Sequence, residues 1–367
     1  MKTTRFKTTL VDVPLERPIE TAIHSMRSVG CVLLELETDA GITGESYVFT
    51  LNGVRLKALH EMLRGFAHQV EGRDPHDLEA INADMWQEMN PIGHAGFSIA
   101  ALCAIDTACW DAVGKAAGQP LHRLFGACRE SIRTYASGGL WLSQDVDDCV
   151  REATSFVEQG FRAMKMRVGS ADQNIDVDRV RAVREAIGAD IELLVDANQS
   201  LDVERAIALA RALEPLDIGW LEEPVDYQDL AGHARVRAAS SLPIASGETE
   251  YTHVGMRRVM DAGAVDILMP DLQRVGGISE MRRSARIARE RDVPFSTHIF
   301  TEQSLCVAGC EPGCLSVEHM PWFAPLFNEE LDIVDGDIVI PERPGTGFTF
   351  NQQAITRYRC DGNLPQG

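Results

Sequence analysis

No run of consecutive apolar residues in this 367-residue chain approaches the roughly 20 needed to cross a bilayer. A membrane partner is therefore not expected. The first residues, Met1 to Phe6, carry no apolar signal core, and a cytoplasmic location is expected. Positive charge is scarce, with 35 Lys and Arg against 55 Asp and Glu and a formal charge of −20. That balance argues against nucleic acid or an anionic membrane as partner. It leaves an anionic small molecule open, because a local metal and a few cationic side chains reverse the field inside a cleft. Tight, regular cysteine spacing is also missing, and the nine cysteines read as reduced thiols. Cys306, Cys310 and Cys314 would line one face of a helix, a spacing that admits an iron–sulfur site. Glu311-Pro312-Gly313 breaks such a helix, so small buried apolar residues are the expectation.

What is present is an ordered change of texture. Arg5 to Val13, Cys31 to Thr38 and Ile42 to Val48 read as three strands, the last two joined by a turn at Asp39-Ala40-Gly41. The link from Pro18 to Gly30 is polar and irregular, long enough to serve as a lid. Helical periodicity follows from Val54 to Val70, Pro75 to Gln87 and Ser98 to Gly114. Strands then helices make an α+β unit. From Ile132 to Val317, eight strand signals alternate with helices, the pattern of a TIM-type (β/α)7β barrel. The expected division is 1–125 for an α+β capping domain with lid 18–30, 126–325 for the barrel, and 326–367 for a tail returning to the cap.

Three acids occupy one phase of the barrel pattern. Asp196 closes Ile191 to Val195, Glu222 closes Ile218 to Leu221, and Glu248 follows Pro243 to Gly247, at 26-residue steps. One strand, one helix and two short loops fill such a step. Carboxylates at the ends of three neighbouring parallel strands converge and repel unless a cation sits among them. Oxygen-only ligands favour a hard divalent ion, Mg²⁺ by default. Lys165 and Arg167 share a face of one strand, Asn198 lies two past Asp196, and Asp271, His298 and Glu318 close the last three strands.

Lys165-Met166-Arg167, Val195-Asp196-Ala197-Asn198-Gln199, Trp220-Leu221-Glu222-Glu223-Pro224, Ser246-Gly247-Glu248, Met269-Pro270-Asp271 and Ser296-Thr297-His298 together resemble the enolase superfamily, mandelate racemase subgroup. The resemblance spans essentially the whole chain. It implies Asp196, Glu222 and Glu248 as Mg²⁺ ligands and His298 with Asp271 as a general-base dyad. It implies Lys165 as the first position of a Lys-x-Lys motif, Glu318 as the acid bonding the substrate carboxylate, and Ser137 and Asn198 as polar neighbours of the substrate. It implies a homo-oligomer. A protonated Glu318 donating to the enediolate is a further expectation, one that needs a raised pKa. Enolase-superfamily sites are a standard example of a Lys or His base working with Mg²⁺.

The chain departs from the subgroup at Arg167, where the second lysine base belongs. Arginine keeps its proton, at a pKa of about 12.5–13.8. A racemase needs bases on both faces, whereas a dehydratase runs on one. In the lid, His24, Ser25, Arg27 and Ser28 are polar and suit a polyol chain or a second carboxylate, with His319 as a further polar contact. The leading expectation is a Mg²⁺-dependent lyase dehydrating an aldonate or aldarate to a 2-keto-3-deoxy acid. Alternatives are a racemase or epimerase of a 2-hydroxy acid with Lys165 as second base, a non-catalytic ligand-binding descendant, and, more remotely, a carbohydrate hydrolase.

Overall fold

A computed structural model describes residues 1–362. The chain begins with an antiparallel sheet, β1 (Thr3–Glu20), β2 (Ser25–Thr38) and β3 (Thr43–Leu51). Helices α1 (Leu56–Gly65) and α3 (Phe97–Ala117) pack on it, α2 (Leu78–Met89) packs on α3, and the short α4 (Leu121–Leu124) follows. By length and composition α3 alone among the described helices passes as a membrane span. It is instead the core of this unit, buried along most of its length, with Asp106 and Asp111 bonding neighbouring backbone amides.

The expected irregular link at 18–30 is ordered differently. β1 and β2 pair almost to their tips, from Thr3 with Thr38 to Glu20 with Ser25, leaving a turn of Thr21 to His24. Pro14 and Pro18 suppress the strand signal in sequence. The structure absorbs them in an irregularity of register between Pro14 and Ile19. The segment expected to serve as a lid is thus the end of a hairpin, and Met26 on it is buried while Ser25 and Arg27 are exposed.

The barrel alternates strands β4 (Ser131–Ala136), β5 (Ala163–Arg167), β6 (Glu192–Asp196), β7 (Ile218–Glu222), β8 (Ile244–Ser246), β9 (Ile267–Leu268), β10 (Phe295–Thr297) and β11 (Cys314–His319). Between them run α5 (Val146–Glu158), α6 (Gln173–Ile187), α7 (Val203–Leu213), α8 (Leu230–Ala239), α9 (Thr252–Asp261), α10 (Leu272–Val275), α11 (Ile278–Arg289) and α12 (Thr301–Ala308). Neighbouring strands are parallel, and β11 pairs with β4 to close the ring. The strand period of two sorts the side chains. Met164, Met166, Leu193, Val195 and Leu221 pack outward under the helices, while Tyr135, Ala163, Leu194, Trp220 and Ala245 fill the barrel.

The tail forms the hairpin β12 (Ile333–Val334) and β13 (Asp337–Val339) against β4, then α13 (Gln352–Tyr358), whose end meets β1 through the Val11–Arg359 bridge. Of the expected tail 326–367, residues 363–367 lie outside the described residues. Cys306 alone of its trio sits in α12, which ends at Ala308, and Cys314 is on β11. All three are free and buried, and burial raises each thiol's pKa, to about 12 for Cys310 and Cys314.

Candidate active site

The inward residues nearest the C-terminal strand ends form one charged layer above Tyr135 and Trp220, rings that meet edge to face at 5.4 Å. Lys165 and Arg167 come from β5, Asp196 from β6, Glu222 from β7 and Glu318 from β11, all at least nine-tenths buried. Glu248 follows Gly247, whose φ of 128° turns the chain in over the barrel. A Cβ there would press on Leu268 Cδ1 at 3.3 Å.

Lys165 Nζ lies at the centre, 2.7 Å from Glu222 Oε1, 2.9 Å from Glu318 Oε1 and 3.5 Å from Asp196 Oδ2. Burial opposes its charge, but Glu222 and Glu318 outweigh burial and hold its proton well above the ordinary lysine range. Glu318 also accepts from the Ile299 amide at 2.7 Å and from Ser137 Oγ at 2.5 Å. Burial alone would raise its pKa. Lys165, His298 and Arg167 reverse that and keep the carboxyl ionised, well below the usual range. The expectation of a protonated Glu318 is therefore corrected: its cationic neighbours decide, not its burial.

His298 Nδ1 is 2.8 Å from Asp271 Oδ2, and Nε2 is 3.3 Å from Glu248 Oε1. Burial lowers its proton affinity, but Glu248 and Asp271 overcome it and raise the pKa to about 9. Asp271 also caps α10 by accepting from the Arg274 amide. Asn198 does not cap the next helix, since Asp202 accepts from the Arg205 amide at the start of α7. Held at φ 43°, Asn198 donates through its amide and Nδ2 to the two oxygens of Asp196. Its own Oδ1 is buried without a partner.

The acids carry more negative charge than the cations among them answer. Burial pushes Glu222 well up despite Lys165, with Asp196 and Glu248 adding to the push. Burial, Glu248 and Asp196 raise Glu223 to about 8. As placed, no three His, Cys, Asp or Glu among the described residues close on one point tightly enough to grip an ion. Lys165 takes up part of that space. The donor set nonetheless fits a hard divalent cation: its oxygens are carboxylate, they are buried, and their neighbours raise their demand for positive charge. Each carboxylate oxygen has a second lone pair beyond the bonds described.

Residues not singled out from sequence complete the layer. Glu223 accepts from Gln199 Nε2 at 2.9 Å on each oxygen and from Thr249 Oγ1 at 3.1 Å. Arg274 Nη1 donates to the Glu248 carbonyl at 2.8 Å. The Leu-Glu-Glu-Pro run and the three-residue step from Asp271 were the only signals for either. His24 at the hairpin tip is exposed but close enough for Arg274 and Glu248 to act on it, and burial with Arg274 lowers its pKa. Arg27 is exposed, its backbone amide bonded to Asn52 Oδ1. His319 does not reach the site. As the next residue after Glu318 on β11 it points outward, its ring 5.2 Å from Phe161, and burial lowers its pKa to about 4.

The family model for the mandelate racemase/muconate lactonizing enzyme N-terminal domain matches residues 5–126, and that for the enolase C-terminal domain-like unit matches 148–354. The chain is 32% identical to L-talarate/galactarate dehydratase of Salmonella typhimurium, over 97% of this chain and 91% of that protein. It is 34% identical to D-galactarolactone cycloisomerase of Agrobacterium fabrum, over 98% and 99%. The crystal structure of L-talarate dehydratase from Polaromonas sp. JS666, complexed with Mg and L-glucarate, superposes with a TM-score of 0.93 at 31% identity, covering 98% of each chain.

Proposed function

The chain belongs to the mandelate racemase/muconate lactonizing enzyme family of the enolase superfamily, and from that premise we propose that it is a Mg²⁺-dependent acid-sugar dehydratase. The reaction removes water from an aldonate or aldarate and leaves a 2-keto-3-deoxy acid. The observation that carries this reading is an asymmetry of bases. His298 is oriented by Asp271 to take a proton, while Lys165 is ion-paired with Glu222 and Glu318 and the position beside it on β5 holds Arg167.

Asp196, Glu222 and Glu248 are the residues that would hold Mg²⁺, which when bound supplies charge stabilisation for an anion forming on the substrate carboxylate. Neutralising Glu248 removes the largest upward pull on His298 and returns its imidazole toward the ordinary range. His298 Nε2 then accepts the α-proton, and Asp271 stabilises the imidazolium. Lys165 and Arg167 hold the carboxylate end, with Glu318 fixing Lys165 and Ser137 fixing both Glu318 and Arg167. The electron pair released from the α C–H bond expels the β-hydroxyl, which takes the proton from His298 and leaves as water. The enol product tautomerises to the keto acid. Asn198 steadies Asp196, and His24 faces the distal end of the substrate. A homo-oligomer working in the cytoplasm completes the proposal, and light scattering of the purified protein tests its assembly.

A panel of aldonates and aldarates with purified protein and Mg²⁺, scored for 2-keto acid, tests the reaction. Turnover of one member with loss of water supports it. Activity on no member, with racemisation of a 2-hydroxy acid instead, overturns it. The cycloisomerase among the relatives makes acid-sugar lactones a second substrate class for the same proton abstraction. A ring-opened isomer of unchanged mass would identify that reaction.

A further inference from the structure

Arginine presents five N–H donors in a rigid planar fork. In Arg167, Nη1 donates to the Ser137 carbonyl at 2.9 Å and Nη2 to Ser137 Oγ at 3.0 Å. Nε is buried without a hydrogen-bond partner and lies 3.7 Å from Asp196 Oδ2, on the side of the acids. One face of the guanidinium rests on Trp141, with Cζ 4.3 Å from the ring centroid. Trp141 is backed in turn by Trp322, at 6.3 Å and 16° between planes.

The loop that presents Trp141 is held from several directions. The Trp141 carbonyl accepts from Arg179 Nη2 at 2.7 Å, and its amide donates to Gln144 Oε1 at 2.5 Å. Leu140 before it sits at φ 54°, with its amide donating to Glu152 Oε2 at 2.6 Å. A leucine stays in that region only where its surroundings enforce it. Here the enforced turn delivers an aromatic face to Arg167.

We propose that Trp141 is a positioning residue for Arg167: with Ser137 it fixes the guanidinium so that the free Nε–H meets the substrate oxygen that gains charge as the α-proton leaves. The inference rests on the proposed proton abstraction. A buried donor with no protein partner is destabilising until a ligand supplies an acceptor. A donor already in place needs no reorganisation as charge develops, so its effect falls on the transition state. Lysine at 167 would keep the charge but could neither stack a planar face on Trp141 nor bridge both Ser137 acceptors.

Trp141→Phe keeps an aromatic face, and Trp141→Leu removes it. With Mg²⁺ and the acid sugar that the wild type turns over, Trp141→Leu is expected to lose about ten- to a hundredfold in kcat. KM should change by less than about threefold, and Trp141→Phe should stay within about threefold of wild type on both constants. Trp141→Leu combined with Arg167→Lys should be no slower than Arg167→Lys alone, because the ring acts through the guanidinium. Oxalate, a planar dianion shaped like the enediolate, supplies a second readout. Its affinity by calorimetry with Mg²⁺ should fall in Trp141→Leu and hold in Trp141→Phe. That measurement needs no assigned acid sugar, so a wild type that dehydrates none sinks the proposed reaction and leaves this inference to the oxalate result. Where Leu lowers the melting temperature, Trp141→Met replaces it at closer volume. Losses that multiply in the double variant, or ringless variants that match Phe, overturn the role of Trp141.

Discussion

Glu222 shows how one carboxylate is asked to do two things. Its Oε1 holds Lys165 and its Oε2 accepts from Trp220 Nε1 at 3.0 Å, while Asp196 and Glu248 repel it. Glu222→Gln removes the charge and keeps the shape. It is predicted to abolish turnover and weaken Mg²⁺ binding without unfolding the barrel, and calorimetry with Mg²⁺ reads the affinity. Unchanged affinity would remove Glu222 from the metal site. His298 and Arg167 make a matched pair of tests. His298→Asn should eliminate dehydration, because the proposed mechanism takes the proton on His298 alone. Arg167→Lys should keep some activity and introduce exchange of the α-proton from the opposite face. Mass spectrometry of unreacted substrate in D₂O measures this. Fast exchange with inversion at the α-carbon already present in the parent would show Lys165 acting as a base, against the charge state its neighbours impose.

At the scale of elements, the hairpin made by β1 and β2 carries His24 to within reach of Arg274 and Glu248. It lands on the barrel through the ion pair of Arg17 with Glu152 and through Ala22, which approaches Gly169. A Cβ at Gly169 would come within 2.3 Å of Ser200 Oγ and 3.2 Å of Ala22 Cβ. The strand alternation then separates the two candidate donors. His24, at the tip, feels Arg274 and Glu248, whereas Arg27 faces away from the side of buried Met26. His24→Ala should therefore raise KM for a substrate with a polar distal end by about ten- to a hundredfold, the value of a hydrogen bond to a charged group at about 1.5–3 kcal/mol. Arg27→Ala should change it little. Steady-state kinetics on a diacid and a monoacid of equal length check both, and a larger effect at Arg27 would reverse the assignment. The barrel strands were legible because β5, β6 and β7 are apolar runs ended by charge, and two-residue periodicity predicts which side chains converge. The hairpin was not, because Pro14 and Pro18 mask a strand whose pairing with β2 is visible only in three dimensions. Glu223, Arg274 and Trp141 were missed for a related reason. Each matters through a partner from another strand or loop, and no local pattern encodes that meeting. His319 failed in the opposite way: being next to Glu318 in sequence puts it on the other face of β11.

For the whole molecule, a formal charge of −20 with several acids gathered in one buried layer makes stability depend on pH and on the ion together. Glu223, raised to about 8, binds a proton in the folded state that the unfolded chain releases near 4.5. Stability from this group therefore falls as pH rises from about 4.5 through about 8. His298, raised from 6.5 to about 9, acts in the same direction over a higher window. Its contribution, on the order of 3 kcal/mol at 1.36 kcal/mol per unit, is complete below pH 6.5 and lost as pH passes through 9. Both shifts owe much to Glu248, and both shrink when its charge is neutralised. Mg²⁺ also binds the folded state alone and stabilises it by mass action. The melting temperature with Mg²⁺ should exceed that with EDTA by a margin that widens from pH 6 to pH 9. The slope with EDTA should flatten in His298→Asn across the upper half of that range. A margin that stays constant or narrows with pH would mean that the ion does not meet these carboxylates, whatever the activity assays show.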